Sequence, residues 1–280
     1  MYRRKLITAL AVGASCAGLI PAAMAGASTP PGSGGGGDYC AAHVALEAAF
    51  NGDDPSAIGP AVEAAQAVVP EEIAGTLADV LANAPTDGPP SQAFIQSYSE
   101  LLQWVTDNCG FQTLDIVATN YAYGGIADGD QIPAGVTVIR LDNQADEYHE
   151  IILFRRNEGT TESLDELMAL PEDQLGAKLT PAGGGFAAPG TVGGTVADLT
   201  PGDYIAVCFI PKGTTQEAMD QMAAAGSAPA DSAPTGTEGP PHFTLGMHVE
   251  FTVVEGGAAT TGSDAMTMTS MDMAPATTAG

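Results

Sequence analysis

The sequence predicts an α+β multidomain protein in which an N-terminal all-α helical bundle is followed by an all-β sandwich. Three observations predict it. Apolar residues recur at three- and four-residue steps between Cys40 and Gly110. From Asp115 onward the period shifts toward two, in runs of Val, Ile, Thr, Tyr and Phe. Turn chemistry such as Asp128-Gly129-Asp130 and Thr200-Pro201-Gly202-Asp203 separates those runs.

Residues 1–25 read as a signal peptide: Arg3, Arg4 and Lys5, an apolar run from Leu6 to Ala23, and a small-x-small site at Ala23-Met24-Ala25. Gly13, Ser15 and Pro21 interrupt the run, which argues against a membrane anchor, so no stable membrane insertion is expected after cleavage. The expected location is secreted or extracytoplasmic. Residues 26–39, rich in Gly, Ser and Pro, read as a flexible linker.

The helical domain is assigned to 40–110, with helices near 41–51, 55–68, 71–84 and 92–108. Pro55 and Pro70 suit first-turn positions, and Gly110 is a stop signal. In the last helix Phe94, Tyr98, Leu101, Leu102 and Val105 form one apolar stripe, and Trp104 joins Phe94 as core. An up-and-down order brings the start of the first helix beside the end of the fourth, which pairs Cys40 with Cys109 in a disulfide.

The β domain is assigned to 111–255, with strands at 115–124, 135–143, 148–155, 191–198, 203–210 and 246–254. Two insertions interrupt it. One is a helix from Leu164 to Leu179, opened by the capping pair Ser163 and Glu166; the other is an irregular stretch from Lys212 to Pro241 with a helical piece at 216–225. Residues 256–280 read as a disordered Met-rich tail. Its Met266, Met268, Met271 and Met273 are soft thioethers suited to Cu(I), set against the plainer reading of a low-complexity terminus.

Charge and cysteine usage narrow the function. After cleavage five basic residues (Arg140, Arg155, Arg156, Lys178, Lys212) face 34 acidic ones, a formal charge of −29. Nucleic acid and anionic lipid are therefore excluded as partners. The acidity suits solubility in a salty habitat or a basic electron-transfer partner. Loss of Cys16 with the signal leaves Cys40, Cys109 and Cys208, so one thiol is unpaired.

Cys208 ends the strand Asp203-Tyr204-Ile205-Ala206-Val207, at one pole of the sandwich. His242 and Met247 precede the last strand, and His149 opens another. Singly, each has an ordinary reading: core thiol, core filler, loop histidine, strand histidine. Together, two imidazoles and a thiolate form a trigonal set for copper, and a thioether supplies the weak axial contact.

In these residues the sequence resembles the cupredoxin family of blue copper proteins, over roughly residues 112–255. The motif is Gly202-Asp203-Tyr204, Cys208, Pro241-His242 and Gly246-Met247, with His149 upstream. The resemblance implies a cupredoxin-like Greek-key sandwich and one type 1 copper ion held by His149, Cys208, His242 and Met247. It departs from the family's short ligand loop, since residues 209–241 intervene between Cys208 and His242.

The expected function is one-electron transfer with a redox partner protein of unspecified identity, His242 being the exposed edge. The alternatives are a copper carrier or buffer, and a metal-free interaction module. An enzyme is not expected. Val207 and Phe209 flank Cys208 where a multicopper oxidase carries histidines, and four histidines in all are too few for a trinuclear cluster. Neither a phosphate loop, HExxH nor G-x-S-x-G occurs. Of the remaining histidines, His43 falls in the helical part and His248 is expected on the face opposite Met247.

Overall fold

The computed structural model describes residues 37–52, 54–85, 90–225 and 239–256. The signal peptide, most of the linker, residues 226–238 and the four tail methionines lie outside the described residues.

Four helices come first: α1 (Gly37–Asn51), α2 (Ile58–Val68, entered through a 3₁₀ turn at Pro55–Ala57), α3 (Glu71–Asn83) and α4 (Gln92–Asn108). Local chemistry sets their starts. Asp54 accepts the Ser56 N–H and Pro55 supplies a preset first-turn φ; Ser91 accepts the Phe94 N–H at 3.1 Å. Cys40 is bonded to Cys109, with Cα atoms 5.5 Å apart. The bond joins the first turn of α1 to the C-cap of α4 across 69 residues. Closing a loop of that length contributes about 4 kcal/mol by constraining the unfolded chain. Replacing both cysteines by serine is expected to lower the unfolding free energy in urea by about that amount.

These helices do not close a core of their own, contrary to the expected all-α bundle. Tyr39, Leu46, Leu77, Leu101, Leu102 and Val105 share one apolar cluster with Val138 and Val196, which belong to the sheet. The helices form a layer on the sheet's outer face. Helical periodicity identifies an apolar stripe but not what covers it.

The strands are β1 (Gln112–Thr119), β2 (Ala122–Gly124), β3 (Gln131–Pro133), β4 (Gly135–Asn143), β5 (His149–Arg156), β6 (Leu179–Ala187), β7 (Val192–Leu199), β8 (Gly202–Val207) and β9 (His248–Val254). Among the described residues they form one nine-stranded sheet in the order β2-β1-β4-β7-β6-β5-β8-β9-β3. Neighbours are antiparallel except β1 with β4 and β3 with β9. Ile116, Ile139 and Leu141 near one edge of that order share a core with Tyr204, Phe251 and Val253 near the other, so the sheet curls upon itself. The Tyr204 hydroxyl donates to Thr200 O at 2.9 Å and accepts the Thr200 N–H at 3.1 Å, closing the corner into β8.

Three readings need correction. The strand expected over 115–124 is two strands, folded back at Tyr121, whose φ of 60° makes the turn. The single helix expected over 164–179 is α5 (Leu164–Met168) and α6 (Glu172–Lys178), split because Pro171 has no N–H to continue α5. The capping box of Ser163 and Glu166 is present. β6 was unexpected, since Pro181 and three consecutive glycines carry no strand propensity. Gly185 is there for space: a Cβ on it would sit 2.4 Å from the Gly194 backbone, and one on Gly194, facing it from β7, would sit 1.9 Å from Ile139 O. Past β8, the expected helical piece forms α7 (Gln216–Ala225).

At the helix–sheet boundary Glu47 is buried, its Oε1 accepting from the Tyr98 hydroxyl at 2.7 Å and its Oε2 from the Thr195 hydroxyl at 3.1 Å. His43 Nε2 lies 3.6 Å away. Burial pushes the Glu47 carboxyl up to about 7, against the opposing effect of its hydrogen bonds. In the unfolded chain it titrates near its ordinary 4.5, so the folded state binds the extra proton between these values. The stability this group contributes is full below pH 4.5 and is lost as pH rises through 7. Burial lowers the His43 imidazole to about 4, which tilts the same window the other way. A comparison with Glu47→Gln separates the two: the variant's stability relative to the parent is expected to rise by about 3 kcal/mol between pH 4.5 and 8.

Candidate metal centre

Each candidate side chain reaches the site because of where its strand ends. His149 is the first residue of β5 and points inward, as alternate residues Ile151 and Leu153 do. Cys208 follows the last residue of β8. Beyond it the chain leaves β8 but stays laced to the segment before β9: Cys208 N–H donates to Met247 O at 3.2 Å, Phe243 N–H to Cys208 O at 2.9 Å, and Met247 N–H to His242 O at 3.1 Å. A 3₁₀ turn at His242–Leu245 ends at Gly246, whose φ of 108° turns Met247 back into the core.

The stretch between Cys208 and His242 does not loosen this arrangement, because its two ends are pinned together. His242 N–H donates to Ile210 O at 2.9 Å, Lys212 N–H to Pro240 O at 3.0 Å, and Pro211 bridges Pro241. The chain therefore leaves and returns through a short stem, and Cys208 and His242 are held as neighbours whatever follows beyond Lys212.

His149, Cys208 and His242 converge, all three fully buried. Cys208 Sγ lies 3.9 Å from His149 Nδ1 and 3.4 Å from His242 Nδ1, and the two Nδ1 atoms are 3.1 Å apart. The point equidistant from the three atoms of such a triangle is about 2.0 Å from each, the length of a metal–imidazole bond. Met247 is fully buried beside them, its backbone tied to both Cys208 and His242. His248 lies outside the cluster and more exposed than Met247, its Nδ1 3.3 Å from Phe243 O; His43 belongs to α1, beside Glu47.

The electrostatics keep both imidazoles neutral, the form that binds metal. Burial lowers His149 to about 4, and the neighbouring His242 adds to the shift. Burial also lowers His242, against the opposing pull of the Glu147 carboxylate. Burial, and secondarily Glu150, raises the Cys208 thiol far above its usual range, although the Glu150 and Ile210 N–H groups point at its sulfur. Such a thiol ionises only when a cation takes the proton's place. The Glu150 and Ile210 backbone N–H groups oppose that rise and would favour the thiolate. His149 Nε2, on the far side of its ring, is buried with no hydrogen-bond partner among the described residues.

Two findings differ from the sequence reading. His242 is not an exposed edge but fully buried, covered by the Tyr121 ring at 5.0 Å between centroids and by Glu147, whose Oε2 is 3.0 Å from His242 Nε2. Glu147 and Glu150 join the site beyond the residues that the sequence points to. Glu150 accepts the Phe209 N–H at 2.9 Å, and burial pushes its carboxyl up to about 7. Their one signal in the sequence is their place on either side of His149.

No family model matches the chain, and no curated protein does. Similar solved structures are a dithionite-reduced auracyanin from Roseiflexus castenholzii (21% identity, 51% of this chain and 97% of that one, TM-score 0.30) and auracyanin A, a "blue" copper protein from Chloroflexus aurantiacus (14%, 52% and 100%, 0.30). Reduced rusticyanin is a third (17%, 51% and 77%, TM-score 0.28).

Proposed function

We propose that this chain is an extracytoplasmic one-electron carrier in which His149, Cys208 and His242, with the buried thioether of Met247 beside them, would hold a single type 1 copper ion. The triangle of two Nδ1 atoms and one Sγ carries the reading. Its sides match what two imidazoles and a thiolate adopt around one ion, and the donor types select copper over harder cations. Bound there, copper would supply a Cu(II)/Cu(I) couple. The chain's part is to hold three donors rigidly in a dry core, so that little rearranges when the charge changes.

Full enclosure favours electron carriage over copper delivery, because an ion with no open side exchanges slowly. An electron crosses such a wall readily; a metal ion crosses it slowly. The absence of catalysis belongs to the same proposal and is supported by Val207 and Phe209 flanking Cys208. The Cys40–Cys109 bond suits an oxidising compartment, and no described helix is long and apolar enough to cross a membrane. The excess of acidic groups suits a basic redox partner.

Cyclic voltammetry of the copper-loaded protein tests the function. A reversible one-electron wave with fast electron exchange is expected. Tight Cu(I) binding with no reversible wave would turn the reading to copper storage, and no copper uptake to a metal-free module.

A further inference from the structure

The wall over His242 contains a carboxylate with an unusual set of partners. Glu147 sits two residues before His149, outside β5, where its backbone bridges Thr215 and its carbonyl accepts from Asn143 Nδ2 at 2.9 Å. Its side chain is 16% exposed. Oε2 accepts the Gly213 N–H at 2.6 Å and lies 3.0 Å from His242 Nε2; Oε1 accepts the Tyr121 hydroxyl at 3.0 Å. One carboxylate thus joins the β1–β2 turn, the start of the long stretch after Cys208 and the ring of His242.

We infer that Glu147 is a positioning residue for His242. The inference rests on the copper reading but concerns a different atom. A carboxylate accepts and cannot donate, so the short contact places the ring proton on Nε2. Nδ1 is left as a bare lone pair, and Nδ1 is the atom that faces Cys208 and His149. Glu147 therefore selects the tautomer that can bind metal and fixes the ring's rotation before any ion arrives. Through Gly213 it also ties the stem of the long stretch to the same ring. Among the described residues His149 has no such partner on its Nε2, so the two imidazoles are held by different means.

The negative charge has a second consequence. Placed behind one imidazole and partly screened from water, it stabilises Cu(II) over Cu(I) and lowers the midpoint potential.

Imidazole ¹H–¹⁵N correlation spectra of the metal-free protein at neutral pH read the tautomer directly, independently of copper. His242 is expected as Nε2–H in the parent and in Glu147→Gln, whose amide oxygen still accepts. A mixture with Nδ1–H is expected in Glu147→Ala. In copper-loaded protein Glu147→Ala should bind Cu(II) about 10- to 100-fold more weakly. Glu147→Gln should keep near-parental affinity with a raised midpoint potential. Circular dichroism of each variant checks that it folds, and Tyr121→Phe, which removes one bond to Glu147 and none to the ring, should leave the tautomer unchanged. The inference is overturned if the parent's His242 carries its proton on Nδ1, or if Glu147→Ala keeps both the Nε2–H form and parental affinity. Failure of the parent to take up copper would sink the copper reading alone, since the tautomer is read without it.

Discussion

Cys208→Ala is expected to abolish the intense visible band of the copper-loaded protein and to weaken Cu(II) binding at least about 1,000-fold, roughly 4 kcal/mol. The band arises from charge transfer between a thiolate and Cu(II), and Cys208 is the one free cysteine among the described residues. Without its sulfur the two imidazoles remain, 3.1 Å apart, facing a gap. The same variant should cost little stability, because the thiol is small and Ala fills most of its space. Loss of the band with an unchanged urea midpoint would separate a role in metal binding from one in packing. An undiminished band would place the copper elsewhere.

Leu102→Ala is expected to lower the unfolding free energy by about 2–5 kcal/mol. Leu102 is fully buried in α4, and its Cδ2 approaches the Gly194 position of β7 so closely that a Cβ there would meet it at 3.1 Å. The truncation opens a void where helix and sheet meet. Because Leu102 shares its cluster with Val138 and Val196, far-UV circular dichroism of the helices and the copper band of the sheet should report one shared transition in urea, moved to lower denaturant together. Two separate transitions, with the band unaffected, would mean that the helices and the sheet fold independently.

What was legible in the sequence followed from local chemistry. Helix starts near Pro55, Pro70 and Ser163 were readable because turn prolines and caps are local, and the Cys40–Cys109 bond because an up-and-down helix order fixes which ends meet. His149, Cys208 and His242 could be grouped because each lies at a strand end on one pole.

The rest depended on partners far away in the chain. β6 is a strand because it pairs with β5 and β7, and it carries Gly185 because the Gly194 backbone leaves no room for a side chain there. The docking of the helices onto the sheet had a faint sign in β4, where Val138 and Ile139 are adjacent and both buried, the mark of a strand covered on two faces. Glu147 was unreadable for another reason: acidic residues abound in this chain, and only the curl of the sheet sets this one against His242 and Gly213.

X-ray absorption fine structure at the copper edge of the loaded protein tests the central claim most directly. One sulfur and two imidazole nitrogens are predicted in the first shell, with the nitrogens at about 2.0 Å. A shell of nitrogen and oxygen without sulfur would contradict it.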